Sequence, residues 1–340
     1  MSSTLNDAFE STDSVRTARP LSHVQFADFP VPFALERGGL LPSLTVAYET
    51  YGELNEARDN AVLICHALTG DSHVAAHNAD DDAGWWDALV GPNKGIDTNK
   101  HFVICCNVLG GCRGTTGPST IDLATGKPYG NDFPLVTVHD MVNAQKRVID
   151  LLKIQKLRAV VGGSFGGHQA LSWATRYPDY VQTAVVIASS SRLSSQALAF
   201  DVVGRNAIQT DPYYAEGQYY DNAQHPETGL ALARMLGHIT YLSSASMAKK
   251  FDMDRHEPRQ LQTEFEKRFS VGSYLAYQGS QFVRRFDANS YVAITLAMDL
   301  VDFGATREEL AEALSAAQCD WLVVSLSSDW PFHPRNRVNW

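Results

Sequence analysis

One serine between two glycines, Gly162-x-Ser164-x-Gly166, is the strongest chemical signal in the chain. Ala159-Val160-Val161 before it reads as a buried strand, and Gly167–Ala174 after it reads as a helix. A turn between such elements holds a serine at strained backbone angles, and glycine two residues either side lets neighbouring chain pass close by. The chemistry is nucleophilic: a hydroxyl becomes reactive when a base takes its proton and a carboxylate orients that base. Trp321–Leu326 reads as a late apolar strand, and Asp329 just after it is the candidate carboxylate, though the segment alone also reads as an ordinary turn aspartate. An oxyanion needs two backbone N–H donors. Phe165 supplies the first. The loop His66-Ala67-Leu68-Thr69-Gly70 after strand Ala61–Cys65 is placed to supply the second through Leu68, or is a plain strand-end loop.

Alternating elements position these groups. Leu44–Tyr51, Ala61–His66, Phe102–Asn107 and Thr183–Ala188 read as short strands, and Val138–Lys153 carries Met141, Val142, Val148, Leu151 and Leu152 at helical spacing. This alternation implies right-handed crossovers and a mostly parallel central sheet. With the nucleophile turn it predicts the α/β-hydrolase arrangement. From Arg192 to about Leu300 helical stretches dominate: 194–209, 230–243, 256–271 and 290–300, with a Tyr-, Gly- and Asn-rich linker at 211–228. Helix 306–317 and strand 321–326 then return to the α/β rhythm. The expected organisation is a disordered polar tail (1–20), an α/β core (21–192), an inserted helical lid (193–300) and an incomplete end of the core (301–340).

The formal charge of −10 argues against a nucleic-acid or anionic-membrane surface, while leaving room for a local basic pocket that takes an anionic cosubstrate. Five cysteines, at 65, 105, 106, 112 and 319, show no metal-ligand spacing, and no metal site is expected. They fit a reduced, cytoplasmic protein. The first 19 residues lack an apolar core, so neither a signal peptide nor a span is expected there. No apolar run approaches the ~20 residues needed to cross a bilayer.

Several ordered blocks resemble homoserine O-acetyltransferases: HALTGDSH (66–73), the long stretch from Gly84 to Pro134 that contains NVLGGCRGTTGPS (107–119), GGSFGGHQALSWA (162–174), LARMLGHITYLS (232–243) and SSDW (327–330). The likeness runs over roughly residues 25–337. It implies that Ser164 takes an acetyl group from acetyl-CoA and passes it to the hydroxyl of L-homoserine, in methionine biosynthesis, with acetyl-CoA as cosubstrate and no bound cofactor. By the same resemblance Arg234 binds the substrate, although alone it reads as a solvated helix charge. Asn107, Gly110, Gly111, Arg113 and Thr115 are implied to line a deep pocket, and the family is usually a homodimer joined through its lids. Pro331 stands where the related succinyltransferases look to carry an arginine, which favours an acetyl donor.

One part of the pattern is missing. The resemblance places the third triad member in a Gly-His-Asp segment well beyond the aspartate, whereas this sequence ends eleven residues past Asp329. His333 follows Asp329 too closely to reach round to Ser164. His66 belongs to the oxyanion loop, His168 to the elbow helix, and His73 lies further along the first loop. No histidine is found for the base. The alternatives are a succinyltransferase or esterase on the same fold, or a catalytically impaired remnant that binds without turnover. An edge left open after 321–326 would be an unpaired, apolar template.

Overall fold

Runs of β-branched and small residues form a seven-stranded sheet in the computed structural model, which describes residues 21–251, 270–330 and 332. In chain order the strands are β1 (Gln25–Phe29), β2 (Phe33–Ala34), β3 (Leu40–Leu41), β4 (Leu44–Tyr51), β5 (Ala61–Cys65), β6 (Val90–Gly91), β7 (Ile96–Asp97), β8 (Phe102–Cys106), β9 (Leu157–Gly163), β10 (Thr183–Ile187) and β11 (Asp320–Val324). The main sheet has the order β1-β4-β8-β5-β9-β10-β11. From β8 to β11 every pairing is parallel, while β4 and β1 join antiparallel at one edge. The central strands β5 (AVLIC) and β8 (FVICC) are buried throughout, as a sheet covered on both faces requires.

Side chains of β5 divide between two cores. Leu63 and Cys65 join a large cluster with Met141 and Val148 of α1 (Val138–Leu151) and with Leu171 and Trp173 of α2 (Phe165–Arg176). Val62 and Ile64 point the other way, to Val103, Cys105 and Val161, under a cover that includes Val74, Ala75 and Val90. α1 is started by a reciprocal cap in which Thr137 and Asp140 satisfy each other's backbone N–H groups.

After β10 the chain leaves the sheet through α3 (Ser195–Gln209), α4 (Glu227–Tyr241), α5 (Ser244–Phe251), α6 (Ser270–Val283) and α7 (Ala288–Asp299). α4 packs against both α3 and α6, and α7 against α3 and α4. The chain departs and returns side by side: the Phe303 N–H donates to the Ser191 carbonyl at 2.9 Å, and the Ser191 hydroxyl to the Gly304 carbonyl at 3.2 Å. α8 (Arg307–Ala313) then leads to β11, which pairs with β10 over five residues. β11 is the outermost strand at that side among the described residues, and its Leu322 is 53% exposed. Among the described residues no helix is long and apolar enough to cross a membrane.

β1 and α6 were not anticipated. β1 reads QFADF with one buried side chain, Ala27, too weak a pattern to announce a strand. The helix expected at 256–271, the tail at 1–20, Pro331 and His333 lie wholly or mainly outside the described residues.

Candidate active site

Ser164 sits between β9 and α2 with φ 54° and ψ −122°, a conformation that costs a non-glycine residue about 1–3 kcal/mol. Two hydrogen bonds hold it there. Its N–H donates to the Ile187 carbonyl at 2.8 Å, and its own carbonyl accepts from the Gly167 N–H at 2.9 Å. The flanking glycines are required by contact. A β-carbon on Gly162 would run into the Gly166 carbonyl, and one on Gly166 into the carbonyl of Cys65 at the end of β5. The elbow and the loop after β5 therefore touch, backbone to backbone.

That loop is anchored from below by a buried chain of side chains. Trp173 Nε1 donates to Gln145 Oε1 (2.7 Å), Gln145 Nε2 to Gln169 Oε1 (2.7 Å), and Gln169 Nε2 to the His66 carbonyl (3.1 Å). The fully buried His66 ring lies with Nδ1 2.8 Å from the Ala67 carbonyl while Nε2 accepts the Val108 N–H at 3.1 Å. An acceptor on one side and a donor on the other fix a neutral tautomer, and burial pushes its pKa below the usual histidine value. His66 is thus spent on shaping the loop. The Gly70 N–H closes the turn on the Ala67 carbonyl at 2.9 Å, and among the described residues the Leu68 N–H has no backbone acceptor. Leu68 and Ser164 line one small cavity of about 60 Å³, together with Phe200, Asp201, Tyr241 and Phe332.

The C-terminal ends of β9, β10 and β11 lie in register, since the Ala188 N–H donates to the Val324 carbonyl at 2.8 Å just as Ser164 bonds to Ile187. Asp329 follows β11 by one turn. Its Oδ1 accepts the Phe332 N–H at 2.9 Å, and Phe332 enters the Ser164 cavity. The Phe332 ring also meets His168 edge to face, 5.6 Å between centroids. His168 is completely buried, and burial pushes its pKa down to about 4. Among the described residues no histidine hydrogen-bonds the Ser164 hydroxyl. His333 lies outside them.

His73 is far from base duty. Its Nδ1 is 3.0 Å from Glu49 Oε2 and its Nε2 is 2.7 Å from the Asp82 carbonyl. Facing two acceptors, the ring carries both protons, and the Glu49 hydrogen bond is the main cause that raises its pKa to about 9. His77 Nε2 approaches the same Glu49 oxygen at 2.9 Å, so Glu49, His73 and His77 bring potential metal ligands within 4.8 Å of one another. Without a cation His73 pairs with the Glu49 carboxylate, and a metal would have to displace a ring proton to bind here.

Arg234, on α4, is turned inward. Its Nη1 donates to Thr69 Oγ1 at 3.0 Å, and its guanidinium lies 4.8 Å over the Phe282 ring. Arg285 Nη1 reaches the Thr69 carbonyl at 2.9 Å from the other side. The residues implied as pocket lining take a different place. Thr115 Oγ1 donates to the Asn107 carbonyl and accepts the Ala47 N–H, so both residues brace β4 against the segment after β8. Gly110 and Gly111 form the turn that follows. Arg113 pairs with Asp71 (3.4 Å) and borders a separate cavity of about 560 Å³ beside Tyr219, Arg285 and Asp287. Neither Asn107, Gly110, Gly111, Arg113 nor Thr115 lines the Ser164 cavity. Sequence reasoning missed Asp201, Tyr241, Phe332 and Arg285. Of these only Asp201, buried on α3, stands at a core-facing position of an expected helix, while Tyr241 at the end of α4 is exposed.

A strained serine on a strand–helix turn, set on a mostly parallel sheet, defines an alpha/beta hydrolase, and the family model for that fold matches residues 60–340. The bifunctional methionine biosynthesis protein MetXA/MetW of Rhodopirellula baltica is 59% identical over 97% of the chain and 53% of its own length. The homoserine O-succinyltransferase of Hahella chejuensis is 50% identical over 95% of the chain and 83% of its own length. A crystal structure of homoserine O-acetyltransferase from Bacillus anthracis superposes with a TM-score of 0.81 at 29% identity, covering 93% of this chain and 86% of that one. The chain belongs to the homoserine O-acyltransferase family. It spans about half the length of the Rhodopirellula relative.

Proposed function

We propose that the protein transfers an acetyl group from acetyl-CoA to the side-chain hydroxyl of L-homoserine. The observation that carries this reading is the contact between elbow and oxyanion loop, which sets Ser164 and Leu68 on one small cavity with Arg234 hydrogen-bonded to the next loop residue, Thr69. In the first half-reaction Ser164 Oγ attacks the thioester carbonyl; the C–O bond forms, the C–S bond breaks, and the thiol leaves with the serine proton. In the second, the homoserine hydroxyl attacks the acyl-serine and returns a proton to Ser164. Phe165 and Leu68 N–H groups hold the oxyanion in both. Asp329 is assigned the triad carboxylate from its position after β11, and no histidine among the described residues is assigned as the base. Arg234 takes the substrate carboxylate. The acyl group rides on Ser164, so no bound cofactor is needed.

An acetyl donor is supported by Pro331 in the sequence, which offers no charge where the related succinyltransferases look to carry an arginine. Five unpaired cysteines support a reducing, cytoplasmic setting. Exposed Val202 and Val203 on α3, Leu232 and Ile239 on α4 and Tyr277 on α6 support a homodimer joined through these helices. Sedimentation should give twice the monomer mass, and Val203→Asp should shift it to monomer; an unchanged dimer in that variant removes this interface.

The test of function is free-thiol release from acetyl-CoA with and without L-homoserine. The expected result is steady release only when homoserine is present. Steady release without it means water is the acceptor, and the transferase reading is wrong.

A further inference from the structure

Glu49 of β4 is completely buried and does not line the Ser164 cavity. Three groups approach its Oε2 at once: His73 Nδ1 at 3.0 Å, His77 Nε2 at 2.9 Å and the Tyr51 hydroxyl at 3.0 Å. Oε1 accepts the Ser72 hydroxyl at 3.1 Å. A carboxylate oxygen offers two lone pairs, so three hydrogens on Oε2 are one too many. A single cation between Oε2 and the two imidazoles relieves the crowding and leaves Tyr51 as the one donor to that oxygen.

Contacts behind the two rings point the same way. His73 Nε2 lies 2.7 Å from the Asp82 carbonyl. A ring N–H donated backward to a carbonyl orients a metal-binding histidine and leaves the other nitrogen to the ion. The His77 ring stacks against His23 and Tyr51, at 4.2 and 4.3 Å between centroids. The loop that carries both histidines is itself pinned: the Val74 N–H donates to the Tyr51 hydroxyl at 3.0 Å, and the Ala76 N–H to Asp87 Oδ1 at 3.0 Å. We propose that Glu49, His73 and His77 bind one divalent cation of the zinc type. Two imidazoles and a carboxylate suit zinc held by three protein ligands, with water in the fourth position. The donor atoms lie within 4.8 Å of one another, and tetrahedral zinc about 2.0–2.1 Å from each needs them about 3.4 Å apart, so the rings close by at most about 1.4 Å. The ion takes the place of the proton between His73 Nδ1 and Glu49, and that proton goes to solvent. Once bound, it clamps to β4 the loop whose Val74 and Ala75 cover the second core.

Zinc titration of the chelator-washed whole chain tests it, read by calorimetry and by the thermal midpoint, with cobalt(II) as a spectroscopic stand-in. One equivalent of zinc should bind and raise the midpoint. Cobalt should give a visible d–d band without the near-ultraviolet charge-transfer band of a thiolate, since no cysteine belongs to the donor set. His77 is the outermost ligand, with a side chain 17% exposed, so His77→Ala should fold. It should weaken zinc binding by about a hundredfold or more, as should His73→Ala. His225→Ala, in the segment before α4, should bind zinc as the wild type does. The site is overturned if the wild type binds no zinc, if His77→Ala keeps its affinity, if His225→Ala loses as much, or if the thiolate band appears.

Discussion

Ser164→Ala should lower homoserine-dependent thiol release by about a thousandfold or more, with the unfolding midpoint shifted little. The hydroxyl is separable from the turn that carries it. Both hydrogen bonds that fix the elbow use the Ser164 backbone, and its side chain has no hydrogen bond among the described residues. Alanine keeps the same β-carbon at φ 54°, so the strain and the loop contacts stay as they are. The covalent acceptor alone is removed, and an oxyanion hole without a nucleophile leaves only a small residual rate. Stopped-flow thiol detection and a thermal melt check the two halves. Activity retained within tenfold would mean that the acyl group never rests on Ser164.

How far the sequence reaches follows from how local each requirement is. The elbow was legible because its glycines answer to atoms within a few residues, or to the strand next door: Gly162 to Gly166, and Gly166 to Cys65. The central strands were legible because a sheet covered on both faces needs unbroken apolar runs, as in β5 and β8. β1 was not, since an edge strand with one buried residue writes almost no pattern. Arg234 looks like any helix charge until α4 packs and turns it onto Thr69. Asp201 and Asp299 belong to helices far apart in the chain, and only α3–α7 packing makes them a pair. The NVLGGCRGTTGPS block pointed to the family without showing what it does: it braces β4, and its arginine borders a different cavity.

Gly166→Ala should damage both the fold and the reaction, and Gly163→Ala should do little to either. The two glycines flank Ser164 within three positions and gain the same single methyl group. At Gly163 the new carbon would have the Ile187 carbonyl oxygen, at 3.9 Å, as its nearest neighbour, an ordinary contact. At Gly166 it would meet the Cys65 carbonyl, backbone that cannot swing aside, with the His66 carbonyl at 3.2 Å behind it. Relief demands that α2 retreat from β5 or that the oxyanion loop move. Overpacking of this kind costs about 1–3 kcal/mol and sometimes more, visible as a lower urea midpoint. The rate should suffer further, because Leu68 follows His66 by two residues and a donor displaced by about 1 Å can forfeit roughly a hundredfold in rate. Gly163→Ala then serves as the control for adding a methyl group beside the nucleophile. If the two variants lose stability and activity equally, the loop is not braced against the elbow, and Leu68 has no claim on the oxyanion.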